Sequence, residues 1–166
     1  MERKTVRKWF WVWDFEKEEQ WLNTMANSGW LLDGVGWCTF HFIACEPGSY
    51  TVRLEMRNYD ENYIGFMQET GAEYVGRMIQ WMYFRKKVEC GEFDIFSDLD
   101  SKIAHLNRIG KGLSAIGFAN LAIGIANSLH SSFGWINLLC ATLLMYGLGR
   151  IHGKKEALER SRMLLE

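Results

Sequence analysis

Apolar and polar positions change their spacing several times along this chain, and each change marks an element. "RKWFWVWD" (7–14) is apolar on both faces and predicts a central strand. Asp14 suits a helix N-cap, and Glu16, Glu18 and Glu19 complement the dipole of the first turn. Trp21, Leu22, Met25 and Ala26 then form a helical stripe that ends at Gly29. Two strands are expected at 30–36 and 37–45, with a turn or bulge near Gly34–Gly36. "EPGSY" contains the only proline, Pro47, and is the clearest turn. Beyond it, Val52, Leu54 and Met56 alternate with Arg53, Glu55 and Arg57, a half-buried strand over 50–57. Asn58, with Glu61 three residues on, makes a capping-box-like start for a second helix whose stripe is Tyr63, Ile64 and Met67. Final strands are expected at 72–78 and 79–86.

The second stripe lies 42 residues after Trp21, Leu22 and Met25, and Gly71 and Gly76 lie 42 after Gly29 and Gly34. The expected fold class is α+β: a domain over 1–96 built from two β-α-β-β halves, about 7–46 and 49–87.

From Gly112 the pattern stops being amphipathic. No Asp, Glu, Lys or Arg occurs between Gly112 and Gly149. "GLSAIGFANLAIGIANSL" (112–129) and "WINLLCATLLMYGLG" (135–149) flank a short "HSSFG" loop. A spanning helix needs about 17–25 mainly apolar residues. A soluble hairpin would show a polar stripe at helical period, and the few Ser and Asn residues make none. A transmembrane hairpin over 112–149 is the expectation. A helical connector precedes it at 97–111, capped by Ser97 or Asp98, and a tail helix follows at 150–166. Lys102, Arg108 and Lys111 lie before the pair and Arg150, Lys154, Lys155, Arg160 and Arg162 after it, which places both ends in the cytoplasm. Close helix contact is expected through Ala115, Ala119, Asn120, Gly124 and Asn127, within the hairpin or between copies. Leu158, Met163, Leu164 and Leu165 of the tail fit a membrane surface or a coiled contact, and polar fraying fits equally well.

Composition narrows the classes. With 19 basic and 20 acidic side chains there is no global field for nucleic acid, so direct nucleic-acid binding is not expected. Four cysteines without a CxxC pair argue for reduced thiols and against a zinc site. The basic start "MERKTVRK" precedes too short an apolar run to act as a secretory signal.

The segments "WVWDFEKEEQWLNTMANSGW", "ETGAEYVG" and "FSDLDSK" carry a resemblance. Over roughly 7–105 the chain resembles an uncharacterised bacterial domain of unknown function. Its members come mostly from Gram-positive bacteria and are often encoded beside PadR-type transcriptional regulators. Many relatives carry predicted membrane helices after the domain. They often have a Trp after the second helix glycine, where this chain has Ala72. The resemblance implies a membrane-tethered, regulatory domain and supplies no catalytic residues.

No Walker loop, GxSxG, HExxH or GxGxxG occurs, and neither an enzyme nor a cofactor is expected. Paired β-α-β-β units resemble GyrI-like effector-binding domains, which use a cleft between halves. By that analogy Trp9, Trp11, Trp13, Trp37, Trp81 and Tyr83 would line such a cleft, with Glu55 or Glu73 meeting a cationic ligand. Core packing is the simpler role for the same aromatics. The expected function is a membrane-anchored sensory or regulatory domain binding a small ligand or a partner, such as a transcriptional regulator or another membrane protein. The alternatives are a structural protein assembling through its hairpin, homo-oligomers included, and a GyrI-like small-molecule-binding module.

Overall fold

A computed structural model describes residues 2–130 and 133–163. Ser131 and Ser132 of the expected interhelical loop, and Leu164 and Leu165 of the expected tail, lie outside them. The chain divides into two units, Met1–Ser97 and Asp98–Glu166.

The first unit holds β1 (Arg3–Arg7), α1 (Phe15–Asn27), β2 (Trp30–Gly36), β3 (Thr39–Ala44), β4 (Tyr50–Met56), α2 (Glu61–Glu69), β5 (Ala72–Met78) and β6 (Trp81–Lys87). These form two three-stranded antiparallel sheets, ordered β1-β3-β2 and β4-β6-β5. Each half is therefore β-α-β-β with its first strand beside its third. The copies agree in detail. The ladder slips between Leu32 and Gly34 in one and between Tyr74 and Gly76 in the other. Gly34 faces His41 as Gly76 faces Tyr83. Both helices hand over to a strand through a glycine with positive φ, Gly29 at 87° and Gly71 at 84°. A Cβ on Gly29 would also lie 3.3 Å from the Cys45 carbonyl oxygen.

The first strand differs from expectation. It covers Arg3–Arg7, and the residues that follow form a loop and a short 3-10 turn at Val12–Asp14. β1 is an edge strand with mainly exposed, charged side chains, a composition that discourages pairing with another chain. Among the described residues the Trp-rich run pairs with no strand; the ladder ends where Lys8 N–H donates to Cys38 O (3.0 Å). The second helix is capped by Asp60 rather than Asn58. The Asp60 carboxylate accepts from the backbone N–H of Asn62 (3.0 Å) and Tyr63 (3.3 Å).

Side-chain alternation sets the layers. Trp21 of α1 rests on Phe40 and Phe42 of β3, at 5.1 and 5.7 Å between ring centroids. The same helix meets the second sheet: Tyr83 O–H donates to Glu18 at 2.6 Å, and Asn23 bonds both N–H and C=O of Val52 at 2.9 Å. α1 thus lies between the two sheets. The opposite face of the second sheet, carrying Met82 and Phe84, packs under Ile64 and Met67 of α2 and under Phe93.

β2 and β5 run side by side in the same direction. Gly76 approaches the Val35 side chain, and Arg85, opposite Glu73 in the ladder, reaches Asp33. Among the described residues no backbone ladder joins these two strands.

The second unit is a helical hairpin of α3 (Leu99–His130, 32 residues) and α4 (Gly134–Met163, 30 residues). The Asp98 carboxylate caps α3 through Ser101 N–H at 2.6 Å. The helices pack antiparallel: Gly110 faces Ile151, Gly117 faces Met145, and Gly124 faces Leu138. Both are long and apolar enough to cross a membrane. Core helices of soluble proteins pass the same test but are mostly buried. Here most of each apolar stretch is exposed.

Candidate functional site

The two halves of the first unit leave a cleft of about 710 Å³ along their seam. One wall is Leu31 and Ile43, the floor is the linker Cys45–Ser49, and the other wall carries Tyr50, Glu73 and Arg85. The linker is held by its own turn, with Ser49 N–H donating to Glu46 O (3.2 Å) and Cys45 N–H to Gly29 O (2.9 Å).

Arg85 organises the cleft. Its Nε donates to Glu73 Oε2 at 2.7 Å and its Nη1 to the Leu32 carbonyl at 2.7 Å. Asp33 lies 3.5 Å from the same Nη1, and the guanidinium carbon stands 5.9 Å from the Tyr50 ring centroid. A planar fork suits this set of acceptors better than an ammonium would. Farther along, Lys87 pairs with Glu89 at 3.0 Å. Burial raises the Cys45 thiol above its ordinary pKa, which keeps it protonated and poorly nucleophilic at neutral pH. The lining offers three carboxylates, Glu46, Glu73 and Glu89, against two cations. Leu31 and Ile43 set an apolar wall opposite these charges.

Of the side chains the sequence singled out for a cleft, Glu73 lies on this one. Trp13, Trp81 and Tyr83 are buried in the domain, Trp81 with its ring 5.7 Å from Phe15. Burial raises the Glu18 carboxyl pKa, and the Tyr83 hydroxyl bonded to it is pushed up as well by burial and by that carboxylate. Glu55 is buried on the other face of the sheet, where it accepts from Tyr63 O–H at 2.7 Å. Trp9, Trp11 and Trp37 sit together at the surface, with Trp9 5.4 Å from Trp11 and 6.4 Å from Trp37.

In the hairpin, Gly124 lies at the helix contact, where a Cβ would stand 2.8 Å from Leu138 Cδ2. Asn120 is half-buried and donates to Ile116 O within its own helix (2.9 Å), while Ala115, Ala119 and Asn127 are exposed. Sequence reasoning missed Gly110 and Gly117, although their seven-residue spacing with Gly124 was a readable signal. It also missed Arg85 and Asn23, whose partners are 53 and 29 residues away and leave no local pattern.

The family model described as "Protein of unknown function (DUF2812)" matches residues 14–118. No curated protein and no solved structure matches the chain.

Proposed function

We propose, on the premise that this chain belongs to the DUF2812 family, that it is a membrane-anchored regulatory protein whose duplicated cytoplasmic domain binds a ligand or partner without catalysis. The observation that carries this reading is the cleft between the halves, built around Arg85 and Glu73 and floored by the linker that joins the two copies. An occupant there touches both halves at once, so its binding energy acts on their relative position. The excess of carboxylates favours a cationic ligand with an apolar part for Leu31 and Ile43.

Anchoring is supported by the bare apolar sides of the hairpin, with Phe118, Ile123, Leu139 and Leu143 exposed. The hairpin crosses the bilayer twice, with both termini on the cytoplasmic side, because the basic residues lie before and after the charge-free stretch. A PadR-type regulator is the partner class that the family resemblance brings forward.

The test uses the full chain in detergent micelles. A panel of cationic amphiphiles and basic peptides is screened for an upward thermal shift, in parallel with pull-down of cytoplasmic regulators. A ligand held in the cleft raises the melting temperature of the wild-type protein and loses that effect in Glu73→Gln. A panel without a shift, together with a pull-down that recovers no regulator, sinks the binding function and leaves assembly through the hairpin as the better reading.

A further inference from the structure

A second surface of the domain is built unlike the rest. β2 and β5 run in the same direction, so the β2–β3 and β5–β6 turns project from one end. Each tip presents a large apolar side chain to solvent, Trp37 at 68% exposure and Ile79 at 71%. Trp9 and Trp11, 55% and 41% exposed, complete an indole cluster with Trp37. Their geometry is held from behind. Trp11 stacks on buried Trp13 at 4.9 Å, Lys8 N–H donates to Cys38 O, and Thr39 Oγ1 donates to Trp37 O at 2.9 Å. The cluster is fixed, and three indoles are kept in water at the expense of stability.

Positive charge is contiguous with these rings. Arg7 pairs in the ladder with Thr39 beside the tip, Lys8 precedes Trp9, and Arg3 and Lys4 continue along the same edge strand. Among the described residues none of these four cations takes part in an ion pair; Lys4 lies over the Trp30 ring at 5.2 Å and Lys8 over the Trp21 and Phe10 rings at 4.5 and 5.0 Å, while no ring contact holds Arg3 or Arg7. Indoles collected beside lysine and arginine match the two layers of a bilayer interface. The ring bodies fit the acyl boundary, the ring N–H groups fit the polar zone, and the cations fit anionic headgroups.

We propose that this end of the domain docks on the anionic headgroup surface of the membrane that holds the hairpin. The proposal rests on the anchoring part of the function above. The tether is compatible with this, since only residues 98–111 separate the domain from the charge-free sequence that begins at Gly112.

The experiment compares the full chain, one copy per nanodisc, in phosphatidylcholine alone and in phosphatidylcholine with phosphatidylglycerol. Hydrogen exchange is read at residues 7–11 and 36–39. Docking slows exchange there about tenfold in the anionic discs, and the double variant Arg3→Glu, Arg7→Glu abolishes the difference. Trp37→Ser lowers the protection while leaving the charge intact. Equal exchange in both lipids overturns the proposal. So does protection that appears only with two copies per disc, which would make the patch a protein–protein surface. A chain that fails to enter discs overturns the anchor and this proposal together, whereas entry without protection removes the docking alone.

Discussion

Glu18 shows how far one side chain can be pushed by its surroundings. It is placed on α1 so that its carboxylate accepts from Tyr83, and burial raises its pKa above the ordinary value of 4.5. The sign follows from linkage: the folded state binds this proton more tightly than the unfolded chain. The stability that results is fully present below pH 4.5 and is lost as pH rises through the raised value. Glu18→Gln keeps an acceptor for Tyr83 and removes the titration. The variant is expected to lose less stability than wild type between pH 4.5 and neutrality, checked by melting the full chain in detergent across that range. Some slope remains in the variant, because burial raises Glu19 as well. Equal slopes in the two proteins would remove Glu18 from this role.

Among the elements, the helix pair makes the sharpest comparison. Gly117 and Gly124 both sit where a Cβ collides, but the obstacles differ. At Gly117 the nearest atom is the flexible end of Met145, at 2.7 Å. At Gly124 it is Leu138, including its backbone nitrogen at 3.1 Å. Gly124→Ala is expected to destabilise the hairpin by about 1–3 kcal/mol through overpacking. Gly117→Ala should cost less, because Met145 can turn away. Ranking the two variants by thermal melting in one detergent decides it, and a reversed order would refute the contact geometry. At this scale the sequence was legible where periodicity repeats. The 42-residue offset of Gly29 and Gly71, and of Gly34 and Gly76, marks equivalent places in the two sheets. It was illegible where burial and strand propensity part company. The run from Trp9 to Trp13 has the composition of a central strand, yet among the described residues no strand pairs with it, and the five residues Arg3–Arg7, three of them charged, form the exposed edge strand β1 instead. The cap at Asp60 was missed for a smaller reason, since Asn58 and Asp60 are equally good chemical caps and only the chain's exit from β4 selects between them.

At the scale of the molecule, the domain is two copies that share one helix. Asn23 of α1 serves the second half, where its amide pairs with both backbone groups of Val52 and closes the free edge of β4. Glu19 adds a carboxylate to the N–H of Leu54 at 3.3 Å. Neither half is therefore complete alone, and the domain should unfold in one cooperative step despite its repeat. Asn23→Ala is expected to cost about 1–3 kcal/mol, as it strands two backbone groups. For a domain of this size each kcal/mol lowers the midpoint by about 4–8 °C. The readout is a single transition moved down. Two separate transitions in the wild-type protein would show that the copies fold independently.

The seam between β2 and β5 carries a consequence of its own. Among the described residues no backbone-to-backbone hydrogen bond joins β2 to β5, and the crossing is stitched by the guanidinium of Arg85 to Leu32 O and Asp33. Such a joint resembles a clasp more than a weld. Unfastening that one side chain removes the polar stitch along this line while the ladders within each sheet stay closed.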